Sequence, residues 1–186
     1  VKPRLIGQGA LRALALVSLL WIGIAADCWA QADNSSAESQ VKAAFLYKFL
    51  NFVEWPPQSF ASGDSPIVIG VVGADRIAEE LALVLANRNA NGRPVVARRL
   101  QRGDSVAGLH MLFIGRAETR ANDWLNAAKT QPLLTVSETD DAFAQGSTIN
   151  FVVVENKVRF DVALRPAEQG NLKISSRLLA VARKVV

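Results

Sequence analysis

Pro66-Ile67-Val68-Ile69-Gly70-Val71-Val72-Gly73 is an unbroken apolar run of strand length, and its reading decides the fold. A strand with one face in water alternates apolar and polar residues. A strand covered on both faces does not, and such runs belong to parallel sheets packed between helices. The residues after Gly73 agree with a buried strand. Asp75 stands at a helix N-cap position, and Ile77, Leu81, Val84 and Leu85 share one face of a predicted helix over Arg76 to Ala86. Beyond the polar turn Asn87 to Gly92, Pro94 to Leu100 reads as a second strand and His110 to Ile114 as a third. A helix is predicted near Glu118 to Ala128, and Leu133 to Val136 is the fourth strand. Strands alternating with helices predict an α/β fold, a three-layer, mostly parallel open sheet with helices on both faces.

The last third changes character. Thr148 to Val154 is strand-like, Glu155-Asn156-Lys157 is a turn, and Val158 to Leu164 alternates. This predicts a C-terminal antiparallel hairpin strand closing one edge. A final helix is expected from about Ser175 to the end, capped by Ser175, with Leu178, Leu179, Ala182 and Val185 inward. Arg183 and Lys184 would then sit in its last turn, where cations suit the helix dipole. Before the first strand, Ser39 to Trp55 has helical spacing, with Val41, Ala44, Phe45, Phe49, Phe52 and Val53 three or four residues apart, and Pro56-Pro57 stops it. Leu46, Tyr47 and Leu50 widen its apolar face, so it is expected to be covered on more than one side.

Residues 1–32 read as a cleavable export signal. Lys2, Arg4 and Arg12 precede an uncharged, mostly apolar run, Ala13 to Ala26, and Ala30-Gln31-Ala32 suits a signal peptidase. The run has 14 residues, fewer than the ~18 of a membrane-spanning helix. Cleavage is expected after Ala32, or failing that after Ala30. Residues 33–39 then form a flexible leader and 40–186 one domain, placed in the periplasm. Cys28 is the sole cysteine, and Asp27 before it argues against a lipid anchor there. Without residues 1–32 the chain has 18 basic and 16 acidic residues, a net charge of +2. Export and near-neutrality together argue against nucleic acid as a partner.

Candidate chemistry is sparse. Zinc needs three or four His, Cys or carboxylate ligands, and His110 reads as an ordinary strand-end residue. A hydrolase would have to join His110 to Ser137, Ser175 or Ser176, but no Gly-x-Ser-x-Gly elbow is present. Gly70-Val71-Val72-Gly73 lacks the full dinucleotide fingerprint. No cofactor and no catalytic residues are expected. If the strand order is 2-1-3-4-5, a crevice lies between Gly73-Ala74-Asp75 and Gly115-Arg116, where Arg116 is placed to hold a small anion. Gly73, Asp75, Gly115 and Arg116 are thus one candidate ligand site. Arg93, Arg98, Arg99 and Arg102 cluster around the second strand, as a docking patch for an acidic partner or anionic lipid, or as guards of an edge strand.

Several segments together resemble the YfiR-like periplasmic proteins. Val41-Lys42-Ala43-Ala44-Phe45-Leu46-Tyr47-Lys48-Phe49 with Phe52-Val53-Glu54-Trp55-Pro56 is similar to that family's opening helix and its Trp-Pro end. Ile69-Gly70-Val71-Val72-Gly73, Asn91-Gly92-Arg93-Pro94-Val95 and His110-Met111-Leu112-Phe113-Ile114-Gly115 follow in the family's order. So do Leu134-Thr135-Val136-Ser137, Val158-Arg159-Phe160-Asp161-Val162 and Ile174-Ser175-Ser176-Arg177-Leu178-Leu179. The resemblance implies a non-enzymatic periplasmic repressor of a membrane diguanylate cyclase, bound through the cyclase's periplasmic domain. Relief of that block would raise cyclic-di-GMP and favour biofilm. It also implies a homodimer, and an outer-membrane lipoprotein that sequesters it. Leu109 stands where many relatives carry a cysteine, and Ala163 where an asparagine is often found. Disulfide-based control is therefore not expected. Phe45, Tyr47, Phe49 and Phe52 are the candidate partner or dimer surface, with core packing as the plainer reading of the same rings. The rival function is a periplasmic small-ligand sensor acting on another membrane receptor.

Overall fold

The computed structural model describes residues 35–186. The expected export signal, Cys28 and the first residues of the expected leader lie outside the described residues. The chain divides into residues 1–37 and 38–186. Of the first unit, residues 35–37 are described and are helical; the second unit holds the fold.

The described part of helix α1 (residues 35–49) already includes residues 35–39 of the stretch expected to be leader. It passes through a 3-10 turn, Leu50–Phe52, into a short strand β1 (Val53–Glu54), so the helical spacing of the sequence overruns the helix itself. Its buried stripe is Lys42, Ala43, Leu46, Phe49, Leu50 and Val53, whereas Val41 is 42% exposed. The stripe is thus rotated from the one expected, because Leu46 and Leu50 pack inward and Val41 and Ala44 do not carry it.

The main sheet contains β2 (Ile67–Val72), β3 (Asn89–Ala90), β4 (Arg93–Arg99), β5 (Met111–Ile114), β6 (Leu134–Ser137), β7 (Ile149–Val154), β8 (Lys157–Val162) and β10 (Lys184–Val185). Its order is β10-β8-β7-β6-β5-β2-β4-β3, which includes the 2-1-3-4-5 core the sequence allows. The pairs β4–β2, β2–β5, β5–β6 and β6–β7 are parallel, and β7–β8 is the antiparallel hairpin. Glu155 and Asn156 take positive φ of 49° and 58° in its two-residue turn, as a tight hairpin requires. β1 pairs separately with β9 (Lys173–Ile174).

Alternate side chains feed two cores. Ile67, Ile69, Val71, Met111, Phe113, Leu134 and Val136 pack with α1 and with α2 (Asp75–Leu85), which contributes Ile77 and Leu81. Val72, Leu112 and Ile114 pack on the other face with α3 (Ala121–Ala128) and α4 (Asp140–Ala144), through Trp124, Leu125 and Ala142. α5 (Leu164–Gln169) and α6 (Ser176–Val181) add Ala167 and Leu178 to the first core. Asp75 is the first residue of α2 rather than its cap; Ala74 holds that position without a side-chain bond.

The chain end differs most from expectation. Ser175 caps α6, accepting from the Arg177 N–H at 3.3 Å. The helix then stops at Val181, and Lys184–Val185 form β10 against β8. The reason is tertiary. The hairpin leaves the outer edge of β8 unpaired, and the Arg183 and Val186 N–H groups donate to Phe160 O and Val162 O, each at 2.8 Å. The Arg183 guanidinium forks onto buried Asp161, with Nε 2.7 Å from Oδ1, which raises the Arg183 pKa. A continuous helix would leave that carboxylate unpaired, at a cost of several kcal/mol.

Candidate functional site

In an open parallel sheet, ligands collect where adjacent strands send their chains to opposite faces. Here β2 leads to α2 on one face and β5 to α3 on the other, so that point lies between Gly73 and Gly115. The structure brings the two glycines together and fills the crevice with backbone. Gly73 has φ +65°, and its carbonyl accepts from the Ala117 N–H at 3.2 Å. A Cβ on Gly73 would stand 2.5 Å from the Glu118 nitrogen, and one on Gly115 would overlap the Gly73 carbonyl oxygen. Asp75 is exposed on the first turn of α2. Arg116 points instead toward the end of β6: its N–H donates to Glu138 Oε1 at 2.9 Å.

Around Arg116 lies a charge quartet that sequence reasoning missed. Lys42 is 2% exposed; its Nζ donates to Glu38 Oε1 at 2.5 Å and to Glu138 Oε2, itself 8% exposed. The Arg116 guanidinium, 60% exposed, is 3.8 Å from Glu38 and 3.9 Å from Glu138. Two cations balance two carboxylates, so the quartet clamps the start of α1 to the carboxyl ends of β5 and β6. A signal for it exists. Lys42 falls on the stripe 42, 46, 49, 50, 53 that the helix buries, and a lysine on such a stripe needs a carboxylate.

Next to the quartet's end of the sheet, a polar row crosses the strands. Ser137, Asn150 and Asp161 are register partners on β6, β7 and β8, all buried. Ser137 Oγ donates to Asn150 Oδ1 at 2.9 Å, and Asn150 Nδ2 to Asp140 Oδ1 at 3.3 Å. Ser137 is thereby bonded away from any base. His110 lies at the opposite end of β5, four register positions from Ser137, or about 13 Å along the strands. Ser175 is occupied as a cap, and among the described residues the His110 ring nitrogens bond the backbone of Val68 and Ser59 rather than the hydroxyl of Ser137, Ser175 or Ser176.

His110 is packed as a core residue. Its Nδ1 accepts from the Val68 N–H at 3.1 Å, and Nε2 lies 3.2 Å from Ser59 O, which fixes the neutral tautomer with the proton on Nε2. Phe60 stacks on the ring at 4.5 Å, and Arg93 covers the outer face of Phe60 at 3.8 Å. Burial pushes the His110 pKa down. Among the described residues no group of three or more His, Cys, Asp or Glu could hold a metal ion.

The aromatic candidates separate. Phe49 is 1% exposed and sits among Phe45, Phe151 and Phe160, with ring centroids 5.0–5.9 Å away. Phe45, Tyr47 and Phe52 are half-buried against the same core; the Tyr47 hydroxyl donates to Asn89 O at 2.9 Å, and Arg88 stacks over its ring. The basic cluster follows the sheet edge: Arg93 donates to Ser62 O and Ser65 O, Arg98 to Ser105 O, and Arg99 pairs with Glu79 at 3.0 Å. An open cavity of about 360 Å³ lies between the loop after β4 and the start of α3, lined by Arg102, Asp104, Val106, Glu118, Arg120 and Trp124.

No curated protein matches the chain. A family model does, over residues 39–183, from within α1 to the residue before β10, and so takes in most of the quartet, the two apposed glycines and the polar row. On that match the chain belongs to the YfiR/HmsC-like family.

Proposed function

We propose that the protein is an exported regulator that holds a membrane diguanylate cyclase in check by contact with the cyclase's periplasmic domain. The observation that carries this is the family match across residues 39–183, nearly the whole domain. The YfiR-like family is periplasmic and regulatory rather than catalytic. The geometry is in keeping: the polar side chains at the carboxyl ends of the strands are bonded to one another, as in a scaffold. Homodimerisation, sequestration by an outer-membrane lipoprotein and removal of residues 1–32 belong to the same reading. The half-buried rings Phe45 and Phe52 and the exposed Val41, all on α1 or the turn that follows it, are the residues offered for the contact; Tyr47 faces Asn89 and Arg88 at the other edge of the sheet.

The test is genetic and chemical. Deleting the gene raises cyclic-di-GMP, and a crosslinker confined to the periplasm captures a membrane cyclase with the tagged protein. Unchanged cyclic-di-GMP in the deletion strain would refute it. The cavity beside Trp124 favours a second reading, a small-ligand sensor for another receptor. That reading expects a ligand-dependent rise in melting temperature, abolished by Trp124→Ala, with cyclic-di-GMP unaltered.

A further inference from the structure

The two edges of β4 differ. Its inner edge pairs with β2 from Val95 to Arg99, whereas its outer edge meets β3 at Arg93 and Pro94 alone. The Leu100 N–H donates inward to Val71 O and the Val95 N–H outward to Arg88 O. Strand alternation then turns the N–H and C=O of Ala97 and Arg99 outward, and among the described residues no strand pairs with them. An unpaired edge of this kind is a template for another strand. Beside it runs a groove of about 390 Å³, floored by Ala78, Ala82 and Ala97 and walled by Leu83, which is 75% exposed. Helix α2 and the open strand thus form two sides of a slot, with backbone groups on one side and small apolar side chains below.

Charge selects the occupant. Residues 88–103 carry five arginines and no carboxylate. A second copy of this chain, pairing edge to edge, would set Arg98 and Arg99 against their own counterparts, which is unfavourable. An acidic strand meets no such penalty. Glu79 spans the slot mouth to Arg99 at 3.0 Å, both side chains well exposed, so an incoming carboxylate can take its place.

We propose that the outer edge of β4 and the groove beside α2 dock an extended acidic segment of a partner protein, added to the sheet as a further strand. The mode is strand addition: main-chain bonds to Ala97 and Arg99, alternate apolar side chains in the groove, and carboxylates on the arginines. It does not depend on which receptor the protein regulates.

The probe is a fluorescein-labelled peptide alternating Glu and Val, with a Lys/Val peptide as counterpart, titrated against the full chain by anisotropy. The acidic peptide binds, and the basic one is weaker by about tenfold or more. Ala97→Pro removes an outward N–H without touching the β2 ladder and weakens binding about tenfold with melting temperature unchanged. Leu83→Glu, on an exposed wall, weakens it comparably. Glu79→Gln removes a competing carboxylate and tightens it about threefold. Equal binding of the two peptides would overturn the proposal, as would wild-type affinity in Leu83→Glu together with no gain in Glu79→Gln, whether or not Ala97→Pro folds. Self-association that Leu83→Glu abolishes would assign the edge to a second copy and overturn it equally.

Discussion

Replacing Lys42 by Met tests whether the quartet is a clamp. The ammonium is 2% exposed and serves Glu138, which is 8% exposed, and Glu38, which is 32% exposed. Removing one member of a buried pair costs about 3–5 kcal/mol, mostly the desolvation of the charge left behind. Here the figure is reduced, because Glu138 keeps the Arg116 N–H at 2.9 Å and the guanidinium at 3.9 Å, and Glu38 can turn to water. About 2–3 kcal/mol remains, or a fall in melting temperature of about 5–10 °C for a domain of this size. Lys42→Met/Glu138→Leu removes both charges and fills the space with apolar atoms, so it lies within about 1 kcal/mol of wild type. Urea unfolding followed by circular dichroism reads both, and an unchanged m-value keeps the comparison valid. A double variant as unstable as the sum of its singles would refute the reasoning, because the two side chains would then not share one interaction.

Three further outcomes rest on the geometry. Gly115→Ala drives a methyl into the Gly73 carbonyl, both atoms backbone-held, and costs about 3 kcal/mol or more by the same urea assay. His110 is held below its ordinary 6.5 chiefly by burial, which outweighs the opposing effect of the Ser59 carbonyl, with a lesser lowering by Arg93. Below 6.5 the unfolded chain binds a proton that the folded chain refuses, so stability falls as pH drops through that window and is fully present above it. Melting temperatures across pH 5–7.5 should show that slope, and His110→Gln should flatten it. Arg183→Ala unpins β10 from Asp161, so the Val186 amide loses hydrogen-exchange protection while amides of β5 keep theirs.

The central parallel strands are legible because burial on both faces leaves a mark in the residues themselves: Ile67 to Val72 contains nothing a solvent face would need. Their order is legible conditionally, since short βα connections leave few arrangements. The ends are not. Leu178, Leu179, Ala182 and Val185 fit a helical face, and only the unpaired edge of β8 and the buried Asp161 make residues 184–185 a strand. Val53 and Glu54 look like the end of α1 because their partners, Ile174 and Lys173, lie in the last segment of the chain, beyond the reach of local periodicity. The glycines of the candidate crevice do stand beside each other, as the strand order implies. What local sequence does not carry is how closely they approach: a Cβ on Gly115 would meet the Gly73 carbonyl, and a Cβ on Gly73 the Glu118 backbone, so both positions need glycine.

Charge counting over the whole chain also hides a local feature. A net charge of +2 after residue 32 speaks against polyanion binding, yet residues 88–103 contain five arginines without an acid. Both hold, because at physiological salt a partner senses charge only within about 8 Å, far less than the width of an eight-stranded sheet. This separates the two surfaces on which a partner could sit. Contact through Phe45, Phe52 and Val41 buries apolar area, and its affinity changes little between about 50 and 300 mM salt. Contact through the β4 edge weakens steadily over the same range and is restored by none of the α1 residues. A crosslinked partner whose binding ignores salt, and survives Leu83→Glu, belongs to α1; one lost on both counts belongs to the arginine edge.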